Sequence, residues 1–241
     1  MRILNIGNRA VNNYLIETPQ GWLVIDTGYA GNFNRFCKGL KKHNINLDSI
    51  KYIFITHAHD DHVGFLNELM DATEAILVMH QESPQRLLEG HNRYKGGCSN
   101  LLAKIFVNCM GFIGISKHEF PIVKVPTETL LWDGSRQFFK EKGLDIDILP
   151  LTGHTSDHIG LLIGENLFCG DASMNGFPSI KRNIIWIEDL ESYRSSWEIM
   201  INTKANTIYP SHGKPFPKSD LIRFRENLKT IKLHKTKLSI E

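Results

Sequence analysis

Apolar and polar positions in the first part of the chain group into short runs punctuated by glycine. Arg2–Ile6, Tyr14–Glu17 and Trp22–Asp26 read as β-strands, the third set off by Gly21 before it and Gly28 after it. Phe33, Phe36, Cys37 and Leu40 fall at i, i+3, i+4 and i+7, the spacing that lines one face of a helix. Tyr52–Ile55 is a short, continuous apolar run, as expected of a strand covered on both faces. Val63–Met70 predicts a helix and Ala75–His80 a strand.

From Glu82 to Lys117 the pattern changes. A polar, glycine-containing loop, His91 to Ser99, precedes the apolar helix-like stretch Leu101–Phe112. β-like runs resume at Ile122–Val125 and Ile146–Leu151. Ile159–Ile163 and Leu167–Cys169 flank Gly164-Glu165-Asn166, which predicts a hairpin turn. Leu190, Tyr193, Trp197 and Met200 mark another helix, and Thr207–Tyr209 a short strand. Leu221, Phe224, Leu228 and Ile231 make a last amphipathic helix, basic on its other face. Each half runs from strands to a helix, which predicts a layered α/β architecture. With no Pro/Ser-rich linker, residues 1–241 are expected to form a single domain with a cap-like helical insertion at about 82–120.

The chain has 241 residues, 41% of them hydrophobic, enough for a sizeable core. Its 28 basic and 26 acidic residues give a net charge of +2, which offers no support for a polyanionic partner, so nucleic acid is not expected. Met1 to Glu17 shows no charged lead followed by a long apolar core, so no signal peptide is expected. The longest apolar patch, Leu101–Ile115, is interrupted by Lys104 and Asn108 and is too short to span a bilayer. Cys37, Cys98, Cys109 and Cys169 show no CxxC spacing and read as free thiols of a reducing compartment, with the cytoplasm as default address.

The chemistry concentrates in Thr56-His57-Ala58-His59-Asp60-Asp61-His62, directly after the buried strand Tyr52–Ile55. His57 and His59 are two apart, so an extended backbone points both to the same side, where they can reach one metal. Asp61 and His62 are adjacent and diverge, which suits a second metal. Desolvating such a cluster without using it would be costly. Three more candidates each end an apolar β-like run: His154 after Leu149–Gly153, Asp171 after Leu167–Gly170, and His212 after Ile208–Ser211. Ligands at strand ends can converge at one sheet edge.

These residues resemble the metallo-β-lactamase-fold hydrolase superfamily, whose pattern is HxHxDH followed by a later His, an Asp and a His. Asn13-Tyr14-Leu15-Ile16, Val24-Ile25-Asp26-Thr27-Gly28, Gly153-His154-Thr155 and Gly170-Asp171 match its flanking text, and the resemblance runs from about Val11 to Gly213. It implies a four-layered αβ/βα sandwich with metals at one edge. It implies that His57, His59 and His154 bind one metal, that Asp61, His62 and His212 bind another, and that Asp171 bridges them. Asp26 matches a position supporting the metal loop from behind, a role such ligands need. Imidazole and carboxylate ligation suits zinc first, with iron or manganese as alternatives.

The implied function is hydrolysis of a small ester, thioester or lactone by a hydroxide held between two divalent ions, whose bound water has a pKa of roughly 7. Asp61 would orient that hydroxide and pass a proton to the leaving group. The alternatives are a phosphodiesterase or nuclease on the same fold and, further off, an iron-dependent sulfur-oxidising enzyme. The short stretch after His212 leaves little room for the helical glutathione-binding domain of the glyoxalase II group. Tyr209 could donate to a substrate oxygen, although a packed strand tyrosine is the simpler reading. His158 could relay protons, and a structural histidine is again simpler. His43, His80, His91, His118 and His234 have no ligand context. Ile105, Phe106 and Met110 suit a cap over a small-molecule substrate and equally a homodimer surface.

Overall fold

The computed structural model describes residues 1–112 and 118–239. It forms two compact units, Met1–Asn92 with His118–Leu144, and Arg93–Lys117 with Asp145–Glu241.

In the first unit, Ile3–Asn5 pairs antiparallel with Tyr14–Thr18, which pairs antiparallel with Gly21–Ile25. From there the sheet is parallel, through Ile50–Phe54, Ile76–His80 and Leu130–Trp132. Parallel neighbours need crossovers, and helix Phe33–Lys42 supplies the first. Its expected apolar face is real: Phe36 and Leu40 are buried, and the Phe36 ring packs 5.4 Å from that of Phe65. Each such side chain contributes about 1.5–3 kcal/mol of burial. Val24, Ile53, Phe54 and Val78 are fully buried, as a sheet covered on both faces requires.

Two expectations in this unit need correction. Val63–Met70 is not one helix: Asp60–Val63 and Leu66–Asp71 are separate short helices. The break falls at Gly64, whose N–H donates to the Gly28 carbonyl at 2.7 Å. Ile122–Val125 is not a strand. It runs between Pro121 and Pro126, which lack the N–H a ladder needs. Val123 instead buries its side chain in the core and donates to the Leu87 carbonyl. The sheet position goes to Leu130–Trp132, beside Ile76–His80.

The second unit holds a sheet in the order Phe216–Pro217, Thr207–Pro210, Asn166–Gly170, Ile159–Ile163, Ile146–Pro150. Thr207–Pro210 and Asn166–Gly170 are parallel, with Gly170 beside Pro210. The other pairs are antiparallel, with Pro150 opposite Ile159. The loops after Pro150, Gly170 and Pro210 therefore all leave one edge of this sheet. Helix Leu190–Asn202 buries Tyr193, Trp197 and Met200 against the core, capped by Asp189, whose carboxylate accepts from Ser192 N at 2.7 Å. The last amphipathic segment is a helix only over Ser219–Phe224 and tightens into a 3-10 helix over Arg225–Thr230, with Leu221 and Leu228 still buried.

Helix Leu101–Phe112 is present as expected, while residues 113–115 of that apolar stretch lie outside the described residues. It follows the short strand Gly97–Cys98, which pairs with Trp186–Ile187. No helix among the described residues is long and apolar enough to cross a membrane.

Gly64 and Gly213 are among the glycines fixed by close backbone approach. A Cβ on Gly64 would lie 2.1 Å from Ala30 N, and one on Gly213, where φ is +88°, 1.8 Å from Asn175 O. Neither neighbour is a side chain that can swing away. Gly64→Ala and Gly213→Ala are each expected to cost about 3 kcal/mol, read as a lower urea midpoint at constant m. A midpoint within error of the parent would show that these loops relax freely.

Candidate metal centre

In the first unit the motif is organised by one buried carboxylate. Asp26 ends strand Gly21–Ile25 at φ +57°, and its fully buried side chain points at the loop after the neighbouring parallel strand. Its Oδ1 accepts from Thr56 N at 2.8 Å. Its Oδ2 lies 2.8 Å from both Thr56 Oγ1 and His62 Nδ1. Thr56 Oγ1, having donated its proton to Asp26, accepts from His57 Nδ1 at 3.0 Å. One carboxylate thus sets the tautomer of two rings. In the neutral imidazoles of His57 and His62, the lone pair is left on Nε2. Thr27 N and Oγ1 both donate to the His62 carbonyl, at 2.8 and 2.9 Å, and fix the backbone as well.

The rings of His57 and His59 have centroids 4.6 Å apart, and those of His57 and His62 4.1 Å. His57, His59, Asp61 and His62 are all buried. Asp61 and His62 lie within the first turn of helix Asp60–Val63, where the N-terminal dipole favours the carboxylate. Asp61 Oδ1 and His62 Nε2 are 3.4 Å apart.

In the second unit, His154, Asp171 and His212 sit in the three loops that leave the common sheet edge. His154 Nδ1 donates to the Trp186 carbonyl at 2.8 Å, which again leaves the lone pair on Nε2 of the neutral ring. That Nε2 is 3.5 Å from Asp171 Oδ2, and His212 Nε2 is 3.3 Å from the same oxygen. The His154 turn is clamped by Glu188, whose N–H donates to the Gly153 carbonyl and whose carboxylate accepts from Ser156 N. The His212 loop is held through its carbonyl by Asn175 N at 2.9 Å.

Both sets supply side chains that could hold a metal ion. In their neutral form the His62 and His154 rings would turn Nε2 lone pairs toward carboxylate oxygens at 3.4 and 3.5 Å, an arrangement that a cation between them stabilises. The donors are imidazole and carboxylate alone, with no thiolate, and fit divalent metals.

Some residues without a ligand signature in the sequence also shape the site. Asn92 accepts from Asp60 N at 2.9 Å and donates to Asp60 Oδ1 at 2.6 Å. His118, at φ +42°, places Nδ1 3.5 Å from Asp60 Oδ2. Burial lowers the His118 pKa, but the hydrogen bond and charge of Asp60, with the charge of Asp61, raise it overall. His158 is fully buried, with its Nε2 accepting from Asp171 N at 2.9 Å. Tyr209 is half-buried and stacks on Phe168 at 4.7 Å. Cys169 is buried and the desolvated thiol has a raised pKa, so it packs rather than reacts. All four cysteines are free thiols. Asp26→Asn is expected to lower stability by about 1–3 kcal/mol, read by thermal melting of the metal-free protein. An unchanged melting temperature would show that Asp26 does not hold this loop.

Residues 6–212 match the family model of the metallo-beta-lactamase superfamily. Thioesterase pkgB of Emericella nidulans is 25% identical over 212 residues, covering 85% of this chain and 46% of that protein. Beta-lactamase-like protein 2 homolog of Caenorhabditis elegans is 24% identical over 254 residues, covering 97% of this chain and 69% of the other. The chain thus spans about half to two thirds of these relatives. A motif mutant of the metallo-beta-lactamase from Cronobacter sakazakii superposes with a TM-score of 0.68 at 16% identity, over 95% of this chain and 91% of that one. The expected fold is therefore present, a mixed α/β metallo-β-lactamase fold, and the chain belongs to the metallo-beta-lactamase superfamily.

Proposed function

We propose that the protein hydrolyses a small ester, thioester or lactone, using two divalent ions, zinc in the first instance. His57, His59 and His154 would hold one ion, Asp61, His62 and His212 the other, with Asp171 shared. The observation that carries this reading is the shared tautomer control. Buried hydrogen bonds turn Nε2 of His57, His62 and His154 into lone-pair donors, and the family match spans every proposed ligand.

Ions bound there supply Lewis acidity, bringing the pKa of bound water to roughly 7 and polarising a carbonyl oxygen. This chain's own residues do the rest. Asp61, at a helix N-terminus, is the carboxylate we assign to orient the attacking water and carry its proton toward the leaving group. The name of the thioesterase relative points to acyl thioesters within the ester class.

For the apolar part of the substrate we propose helix Leu101–Phe112. Leu101, Leu102 and Ile105 are exposed on it, and the Phe106 ring packs edge-on against Phe177 at 5.8 Å. An exposed apolar face of this kind calls for an occupant.

The test is metal analysis with a panel of ester, lactone, thioester and phosphodiester reporters. Chelation is expected to abolish turnover and added Zn2+ to restore it, and His59→Ala and Asp171→Ala to remove both metal and turnover. Full activity in metal-free protein would end this reading, and turnover of the phosphodiester alone would move it to the nuclease class. Replacing Leu101 and Ile105 with serine is expected to raise KM for long-acyl reporters about 10-fold, with kcat nearly unchanged. A changed oligomeric mass with KM unaltered would assign the helix face to self-association instead.

A further inference from the structure

Strand Ile159–Ile163 lies antiparallel to Asn166–Gly170, with Leu161 opposite Phe168. Continuing that register past the last paired residues puts His158 opposite Asp171. At that point Gly170 turns the backbone at φ +53°. The Asp171 N–H goes to the His158 ring, whose Nε2 accepts it at 2.9 Å. His158 is itself anchored on its other side, where its carbonyl accepts from Leu151 N at 3.1 Å. His154 lies in the turn between those two residues, its ring centroid 6.1 Å from that of His158.

We propose that His158 is a positioning residue that sets where the Asp171 carboxylate stands relative to His154 and His212. This rests on the metal-site reading above and adds to it a residue that touches no ion. The argument is chemical as well as spatial. An apolar side chain could fill the same buried volume, but it could not accept the Asp171 N–H. Asp171 Oδ2 stands 3.5 and 3.3 Å from two imidazole nitrogens, so a small rotation of its backbone changes both distances at once. Supporting partners of this type typically change metal affinity by 10–100-fold.

The experiment is chelator-competition titration of Zn2+ into metal-free protein, with His158→Leu, His158→Met, His158→Gln and Asp171→Asn beside the parent. Glutamine places an amide oxygen near the position of Nε2, whereas leucine lacks an acceptor and methionine offers only a weak one. Methionine serves if the leucine variant does not fold, as judged by near-UV circular dichroism. The expected result is weakening of at least one Zn2+ by about 10–100-fold in the leucine and methionine variants, with the glutamine variant close to the parent. Parent-like affinity without the acceptor would overturn the proposal. So would a glutamine variant as weak as the leucine one, because shape alone would then explain the loss. If Asp171→Asn titrates like the parent, the metal-site reading itself fails and this inference goes with it. If Asp171→Asn weakens binding and His158→Leu does not, only the role of His158 is lost.

Discussion

The site depends on holding imidazole nitrogens and carboxylate oxygens close together. Asp61 faces His62 in one unit, and Asp171 faces both His154 and His212 in the other, at 3.3–3.5 Å. In water such groups would turn apart and be solvated. Here they are buried or nearly so, and the hydrogen bonds behind them prevent rotation. Asp26 closes the arrangement from below in the first unit, and the Trp186 carbonyl and the His158 ring do so in the second. A cation is the natural partner for donors arranged in this way, and the protein's share of metal binding is the work of keeping them there.

The sheets explain how short loops can be held so firmly. Parallel pairing of Gly21–Ile25 with Ile50–Phe54 brings Asp26 and Thr56 to the same edge. Parallel pairing of Asn166–Gly170 with Thr207–Pro210 does the same for Asp171 and His212. Strand ends are rigid because their backbone bonds are already made, so a residue one or two positions beyond has little freedom left. Gly64 and Gly213 mark where backbones approach so closely that no side chain fits, and both lie next to the ligand loops.

Much of this was legible in the sequence because it depends on local pattern. Runs such as Tyr52–Ile55 and Ile159–Ile163 announce buried strands, and HxHxDH announces its own chemistry. What was not legible depends on contacts far apart in the chain. Ile122–Val125 has strand composition, but its flanking prolines and the competing edge Leu130–Trp132 keep it out of the sheet. Val63–Met70 has helical composition, and the break falls at Gly64, where its N–H leaves the helix for the Gly28 carbonyl. Asn92 and His118 have no signature at all, since they meet Asp60 across 32 and 58 positions of sequence. His158 was visible as a histidine four residues after His154, but its acceptor role requires the register of two strands.

This construction ties fold and site together energetically. Donors confined in this way give up solvation, and the hydrogen bonds that hold them offset that cost. Any ion that binds the folded form and not the unfolded one adds stability by mass action, about 2.7 kcal/mol at 100 times its Kd. The backbone hydrogen bonds of Thr27, Thr56, Glu188 and Asn175 hold the loops that carry these donors, so the same bonds serve the fold and the site.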